Sequence, residues 1–427
     1  VPIVTELELP ALDYTDPSLR GERFHAAMRD LRAHGWLAQG PFGFMVLDRE
    51  SCEFFLRTRA ATFPGMKIAE IFGVSDGPLY EQMKHNILHV NGADHSRLRS
   101  LVNPALSPRA VERYRPAMRK FLEELLEQAL AASSSASTAD GGHDAGISCE
   151  FVEAFAKPYP SQVIATVMGA PLADAPRLHH WSNWIQRQFD AASMASEREQ
   201  IERAVEEFYE YAEGLLGARR DDPRDDLISM LIDAEQDGER LSDVECINLV
   251  FNVLAGGVDT TQSQLAHTVR LLAQHPDQWA QLVENPELAQ AAADEALRFE
   301  PITPFTARMT TEDVVFRDVT FPRGTIVMVC AFTGNRDLPS GEQGLPSADD
   351  FDITATDRRS ASGNARALTF GAGVHYCVGA NLARLELREA LSFLAERVRR
   401  LELDGEPVLD TITGIYGLTQ LPVRLSL

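Results

Sequence analysis

The sequence predicts a mainly α protein with a minor β-sheet region, organised as one domain over residues 1–427. Three observations carry this reading. Helix-period apolar patterns fill most of the chain, strand-like runs are short and few, and one helical pattern continues without a stop from Ser242 to Ala273. At about 1.5 Å per residue that last segment is ~45 Å long. Its middle carries Leu254, Ala255, Gly256, Gly257 and Val258, so it is expected to cross the centre of the molecule as a single helix.

The other elements follow in order. Pro17-Ser18 opens a helix to about residue 34, and extended pieces at 36–38 and 44–47 flank a turn at Gly40-Pro41. Asp94 is the expected N-cap of a helix ending at Val102, and Pro108 opens the next. Helical patterns then cover 109–130, 150–169, 175–190 and 196–217. Between them, residues 131–146 (AASSSASTADGGHDAG) read as a flexible surface loop. Ser242 with Glu245 three residues on forms a capping box, and His275-Pro276 stops the long helix. Strands are expected at 314–316, 326–331 and 423–427, and a last helix runs from 381 to 397. No internal repeat is present.

Composition narrows the function classes. Forty basic residues stand against 63 acidic ones, a net charge of −23, which argues against binding nucleic acid through its phosphates. No apolar run reaches the ~18 residues of a membrane span, and VPIVTELELP has neither the basic nor the apolar part of an export signal. A soluble, cytoplasmic, monomeric protein without a membrane partner is the expectation. Five scattered cysteines with no CxxC fit a reducing compartment, not a disulfide framework. Charge is also uneven. Residues 95–120 hold seven basic side chains and one acid, whereas 197–245 hold seventeen acids and six arginines. The basic stretch is either a docking patch for an acidic partner or a set of solvated helix faces.

One cysteine differs from the rest. Cys377 lies in Phe370-Gly371-Ala372-Gly373-Val374-His375-Tyr376-Cys377-Val378-Gly379, immediately before a helical run. Glycines permit a tight loop and close approach of a flat, bulky partner, and a helix N-terminus stabilises a thiolate. His375 can donate to an anionic edge of such a partner. The frame resembles the haem-binding loop of the cytochromes P450 at every signature position. That resemblance implies haem b as cofactor, Cys377 as the thiolate ligand of its iron, and Phe370, Gly371, His375 and Gly379 as cofactor-binding residues. Cys52, Cys149, Cys246 and Cys330 are read as ordinary core thiols.

Three further segments match the family in order and spacing. Glu295-Ala296-Leu297-Arg298, by itself an ordinary helical ion pair, resembles the buried Glu-x-x-Arg pair behind the haem. Asn335-Arg336-Asp337 resembles the downstream element, with Leu338 at the usual proline and Gly341-Glu342-Gln343-Gly344 inserted; Arg336 and Arg359 are both candidates to complete the triad. Gly256-Gly257-Val258-Asp259-Thr260-Thr261 is either a close helix-packing site or a local opening of the helix ladder. It resembles the oxygen-activation motif, in which Thr260 hydrogen-bonds dioxygen and Asp259 relays protons. His95-Ser-Arg-Leu-Arg99 and Arg308, each alone readable as surface charge, resemble the groups that grip the haem propionates.

The resemblance spans residues 15–427 and implies the P450 fold, with haem buried between the long central helix and the Cys377 loop. It further implies a haem-thiolate monooxygenase that oxidises a small organic molecule, with specialised metabolism as the expected setting. Since no flavin domain follows Leu427, electrons are expected from a separate ferredoxin and ferredoxin reductase, with docking on the 95–120 stretch. Substrate contacts are expected from Phe72, Met83 and Ile87, from the 179–190 segment, and from Val253, Leu254 and Gly257. Ile302, Phe305 and Leu418 complete a chiefly apolar lining. Alternatives are oxidative coupling, cyclisation or nitration on the same iron, and a haem sensor or carrier without turnover. His85/His89, half a zinc site by spacing, lacks a third ligand nearby in sequence, and His179-His180 reads as surface.

Overall fold

The computed structural model describes residues 1–136, 146–236, 239–337, 347–355 and 367–427. The inserted Gly341-Glu342-Gln343-Gly344 and Arg359 lie outside these residues. A helical body is flanked by small sheets, as the sequence predicts. The long central helix is two helices, not one: Asp243–Gly257 and Asp259–Gln274, separated at Val258, whose φ and ψ are −89° and −74°. Thr260 Oγ1 donates to the Gly256 carbonyl at 2.5 Å, a side-chain bond of the kind that bends a helix. The expected capping box is present, with Ser242 N donating to Glu245 Oε2 at 2.8 Å and Glu245 N to Ser242 Oγ at 3.3 Å. Glu245 also receives Arg97 from the helix Gly92–Val102, which ties those two helices together.

The second half, Asp259–Gln274, is buried on almost every side, polar residues included. It packs against the helices Pro158–Met168, Ala175–Gln186, Ala289–Phe299 and Ala380–Arg397. A polar helix in such a place needs internal partners. Arg270 supplies one bond, donating from Nη2 to Glu300 Oε2 at 2.8 Å, and Glu300 also meets His25 Nε2 at 3.0 Å.

The main sheet has five strands in the order Leu37–Gly40, Gly43–Val46, Ile326–Cys330, Phe305–Thr310 and Ala61–Thr62. A second, three-stranded sheet joins Arg400–Leu403, Pro422–Ser426 and Ile147–Glu150. The strand Phe305–Thr310 has no counterpart in the sequence reading. It pairs antiparallel with Ile326–Cys330, placing Arg308 opposite Val327 and turning that arginine into the interior at 2% exposure.

Two boundaries also move. The helix expected to start at Asp94 starts at Gly92 after Asn91, and Asp94 sits in its first turn, where a carboxylate favours the helix dipole equally well. The segment read as a loop from 131 is helical through Ala136, because alanine and serine at the end of Arg115–Ala136 extend the helix. Residues 137–145 lie outside the described structure. Among the described residues no helix is long and apolar enough to cross a membrane.

Candidate active site

The Cys377 loop is built by close approach of backbones. Gly373 has φ +71°, and a Cβ there would stand 2.4 Å from the Leu56 carbonyl oxygen, so only glycine lets the loop lie on the end of the helix Arg49–Arg57. Cys377 N donates to the Phe370 carbonyl at 2.9 Å, closing the loop three residues before the helix Ala380–Arg397 begins. Burial raises the Cys377 thiol above its ordinary pKa. The Gly379 and Ala380 amides and the charges of Arg99 and Arg384 act the other way, each favouring the thiolate. Cys52, Cys246 and Cys330 are buried core thiols, whereas Cys149 is partly exposed.

Four basic side chains from three parts of the chain meet beside this loop. His95 and Arg99 come from one helix, Arg308 from the sheet, and His375 from the loop itself. The His95 and His375 rings are 4.3 Å apart between centroids. His375 is pushed down to about 3, first by burial and then by His95, Arg308 and Arg99. Burial brings Arg308 down to about 10, and among the described residues its side chain hydrogen-bonds only the neighbouring Ala307 carbonyl, at 2.9 Å. Among the described residues no carboxylate pairs with any of the four. Arg308 is a buried cation without a counter-ion and Arg99 a partly buried one, while His95 and His375 are neutral donors beside them, so the group is built to receive an anion with more than one oxygen.

Asp259 and Thr260 stand at the break in the long helix. Asp259 is 5% exposed and accepts from Ser182 Oγ at 2.5 Å and Asn183 Nδ2 at 3.3 Å. Burial raises its pKa, while His179, Ser182, Asn183 and Arg187 oppose the rise. The helix-packing and ladder-opening readings of the two glycines both hold, one for each. A Cβ at Gly257 would stand 2.4 Å from Ile164 Cδ1, so Gly257 is required for close packing on that side. Gly256 faces open space, with nothing within 4 Å of a Cβ, on the side where Thr260 is partly exposed.

Glu295 and Arg298 form the buried pair, with two bonds of 2.8 Å from the guanidinium to the two carboxylate oxygens. Arg298 also donates to the carbonyls of Ala348 at 2.7 Å and Asp350 at 3.0 Å, and Glu295 Oε1 accepts from Asp352 N at 3.0 Å. Arg336 turns instead to Asp349 at 3.4 Å and lies over the Phe332 ring, 3.7 Å from its centroid. Asn335 holds the junction, accepting from Leu368 N at 2.6 Å and donating to the Arg298 carbonyl at 3.2 Å.

Of the expected substrate contacts, Met83, Ile87, Val253, Leu254, Ile302 and Leu418 are buried, and Phe72 and Phe305 are partly exposed. The 179–190 segment corrects the reading of His179 as surface. His179, Ser182, Asn183 and Gln186 fall at i, i+3, i+4 and i+7, a polar stripe among Leu178, Trp181 and Ile185. That spacing is the signal by which the sequence could have revealed them. The basic stretch 95–120 is largely neutralised within the fold: Arg97 meets Glu245, Arg113 meets Asp225, Arg115 and Arg119 meet Glu389, and Lys120 meets Glu124. Arg109 alone of the seven is exposed without an ion pair among the described residues. His85 lies near Glu81, and no described group of three or more His, Cys, Asp or Glu could hold a metal ion.

These residues fit haem b. The four unpaired basic groups suit its two carboxylates, and Cys377 is a thiol at a helix start. Fold and site together define a haem-thiolate protein. The chain belongs to the cytochrome P450 family: the model described as "Cytochrome P450" matches residues 70–425. Luteothin monooxygenase of Streptomyces thioluteus is 32% identical over 423 residues, covering 98% of this chain and 97% of the relative. Mycinamicin IV hydroxylase/epoxidase of Micromonospora griseorubida is 34% identical over 325 residues, 76% of this chain and 75% of the relative. The crystal structure of CalO2 superposes with TM-score 0.84 at 29% identity, covering 98% of this chain and 99% of that one. The protein is a cytochrome P450 monooxygenase and binds haem b.

Proposed function

We propose that this monooxygenase inserts one oxygen atom into a C–H or C=C bond of a small, mostly apolar molecule of specialised metabolism. The observation that carries the reading is the acid–alcohol pair at the helix break, Thr260 bonded to the Gly256 carbonyl at 2.5 Å and Asp259 bonded to Ser182 at 2.5 Å. Relatives named for luteothin and for mycinamicin IV support the substrate class. Haem, when bound, supplies the oxygen chemistry. His95, Arg99, Arg308 and His375 hold its carboxylates, and Cys377 holds its iron. Burial favours the neutral form of the Asp259 carboxyl, which suits it to pass a proton on, and Thr260 positions a hydroxyl on the open side of Gly256. The helix break leaves the backbone beside that hydroxyl unfilled by side chain, so the substrate lies against Gly256.

Electrons come from a separate ferredoxin. With most of the 95–120 charges satisfied internally, the docking surface centres on Val374, 69% exposed on the Cys377 loop, flanked by Arg57 and Arg59 and joined by Arg109. All three arginines are exposed and without an ion pair among the described residues. Gly373 packs on Leu56, which brings Arg57 to the loop.

A screen of the ferric protein for ligands that shift its spin state identifies the substrate. Turnover of that ligand with a surrogate ferredoxin pair under labelled dioxygen should give a product heavier by one labelled oxygen. Product without the label would refute the proposal.

A further inference from the structure

The polar stripe of the helix Ala175–Gln186 is laid against the break in the long helix. Gln186 Nε2 donates to the Ala255 carbonyl, and Ser182 Oγ lies 3.4 Å from the Leu254 carbonyl and 2.5 Å from Asp259 Oδ2. Asn183 Nδ2 donates to Asp259 Oδ1 at 3.3 Å while its own oxygen accepts from Arg187 at 3.4 Å. These three neutral side chains satisfy groups that the break and the buried acid leave open. His179 is of another kind. Its side chain keeps 21% exposure, and its Nε2 is 4.0 Å from Asp259 Oδ1 and 2.8 Å from Gln262 Oε1.

We propose that His179 is the relay through which Asp259 exchanges its proton with solvent. The proposal rests on the oxygenase reading, in which Asp259 gives up a proton in each turnover and must regain it. Asp259 is faced from the neighbouring segment by His179, Ser182, Asn183 and Arg187. Arg187 is engaged by Glu197 at 2.8 Å, and a guanidinium does not exchange protons in this pH range. That leaves His179 as the titratable group that touches both the acid and the surface.

The step balances as a proton transfer alone. Gln262 Oε1 accepts from Nε2, which keeps a proton on the nitrogen beside Asp259. A small ring movement closes the gap, and the doubly protonated imidazole passes the Nε2 proton to Oδ1. The ring is left neutral with its proton on Nδ1. A proton from water then returns to Nε2, one entering for each delivered, and no electron moves.

The test uses His179→Gln in the ferric holoprotein, a change that keeps a donor toward Gln262 but removes titration. The Asp259 carboxyl band is identified in the infrared by its loss in Asp259→Asn. Its titration midpoint should move up in His179→Gln, because a positive charge that favours the carboxylate is gone. In turnover, product formed per electron pair consumed should fall with rising pH in the parent. In His179→Gln it should be about tenfold lower, and the pH at which it falls should move up with the Asp259 midpoint. An unchanged midpoint, or the parent's pH profile retained in the variant, would overturn the proposal. The infrared titration needs no turnover, so a parent that oxidises nothing would count against the oxygenase reading while the titration still decides the role of His179.

Discussion

The imidazoles of His95 and His375, 280 positions apart in sequence, face each other at 4.3 Å between ring centroids with their planes 47° apart. Burial, and after it the charges of His95, Arg308 and Arg99, hold His375 neutral down to about 3. The arrangement is unfavourable for any two of these groups alone. It becomes favourable when two carboxylates lie among them.

The apoprotein should therefore lose stability in acid. The folded pKa of His375 lies below the unfolded value, so the unfolded chain binds more protons as pH falls. The stability this confers is present above about 6.5, the ordinary imidazole value. It is lost as pH falls towards about 3. Haem carboxylates raise the His375 pKa and flatten that dependence. Thermal unfolding of apo and holo protein across this range should show a steeper slope for the apo form, and parallel curves would contradict it.

Cys377→Ala should leave a protein that folds but lacks the thiolate-type Soret band in its reduced CO complex. The reading fails if that band persists.

Adjacent glycines should respond oppositely to alanine. Gly257→Ala pushes on Ile164 and should destabilise by about 1–3 kcal/mol. Gly256→Ala meets nothing within 4 Å and should stabilise the helix by up to ~1 kcal/mol while weakening the spin-state response to ligands. Denaturant unfolding and ligand titration separate the two.

Glu295→Gln breaks a buried bidentate pair and leaves Arg298 uncompensated. A loss of about 3–5 kcal/mol is expected, read by denaturant unfolding.

Reduction by a ferredoxin should slow when Arg57 and Arg59 are both replaced by Glu, with ligand affinity unchanged. Arg109→Glu should add to the effect. Stopped-flow reduction at low salt gives the comparison, and equal rates would place docking elsewhere.

What could be read in advance was local. The Cys377 loop announces itself because glycines, histidine and cysteine sit within ten residues, and the Ser242/Glu245 cap needs only a spacing of three. Contacts between distant segments were illegible. Seven basic residues in 95–120 look like a free patch until Glu245, Asp225 and Glu389 are brought to them by folding. Phe305–Thr310 hides its strand character because its buried residues are Arg308 and Thr310, which periodicity counts as polar. The Gly256/Gly257 pair could be flagged as unusual, but which of the two meets a neighbour depends on Ile164, in a different helix.

The bond from Arg97 to Glu245 yokes two helices with separate duties. One presents His95 and Arg99; the other carries Thr260 beyond its far end, about 22 Å along the 15 residues of Asp243–Gly257. The helix that faces the cofactor's acidic edge is thereby anchored to the first turn of the helix that ends at the Val258 break.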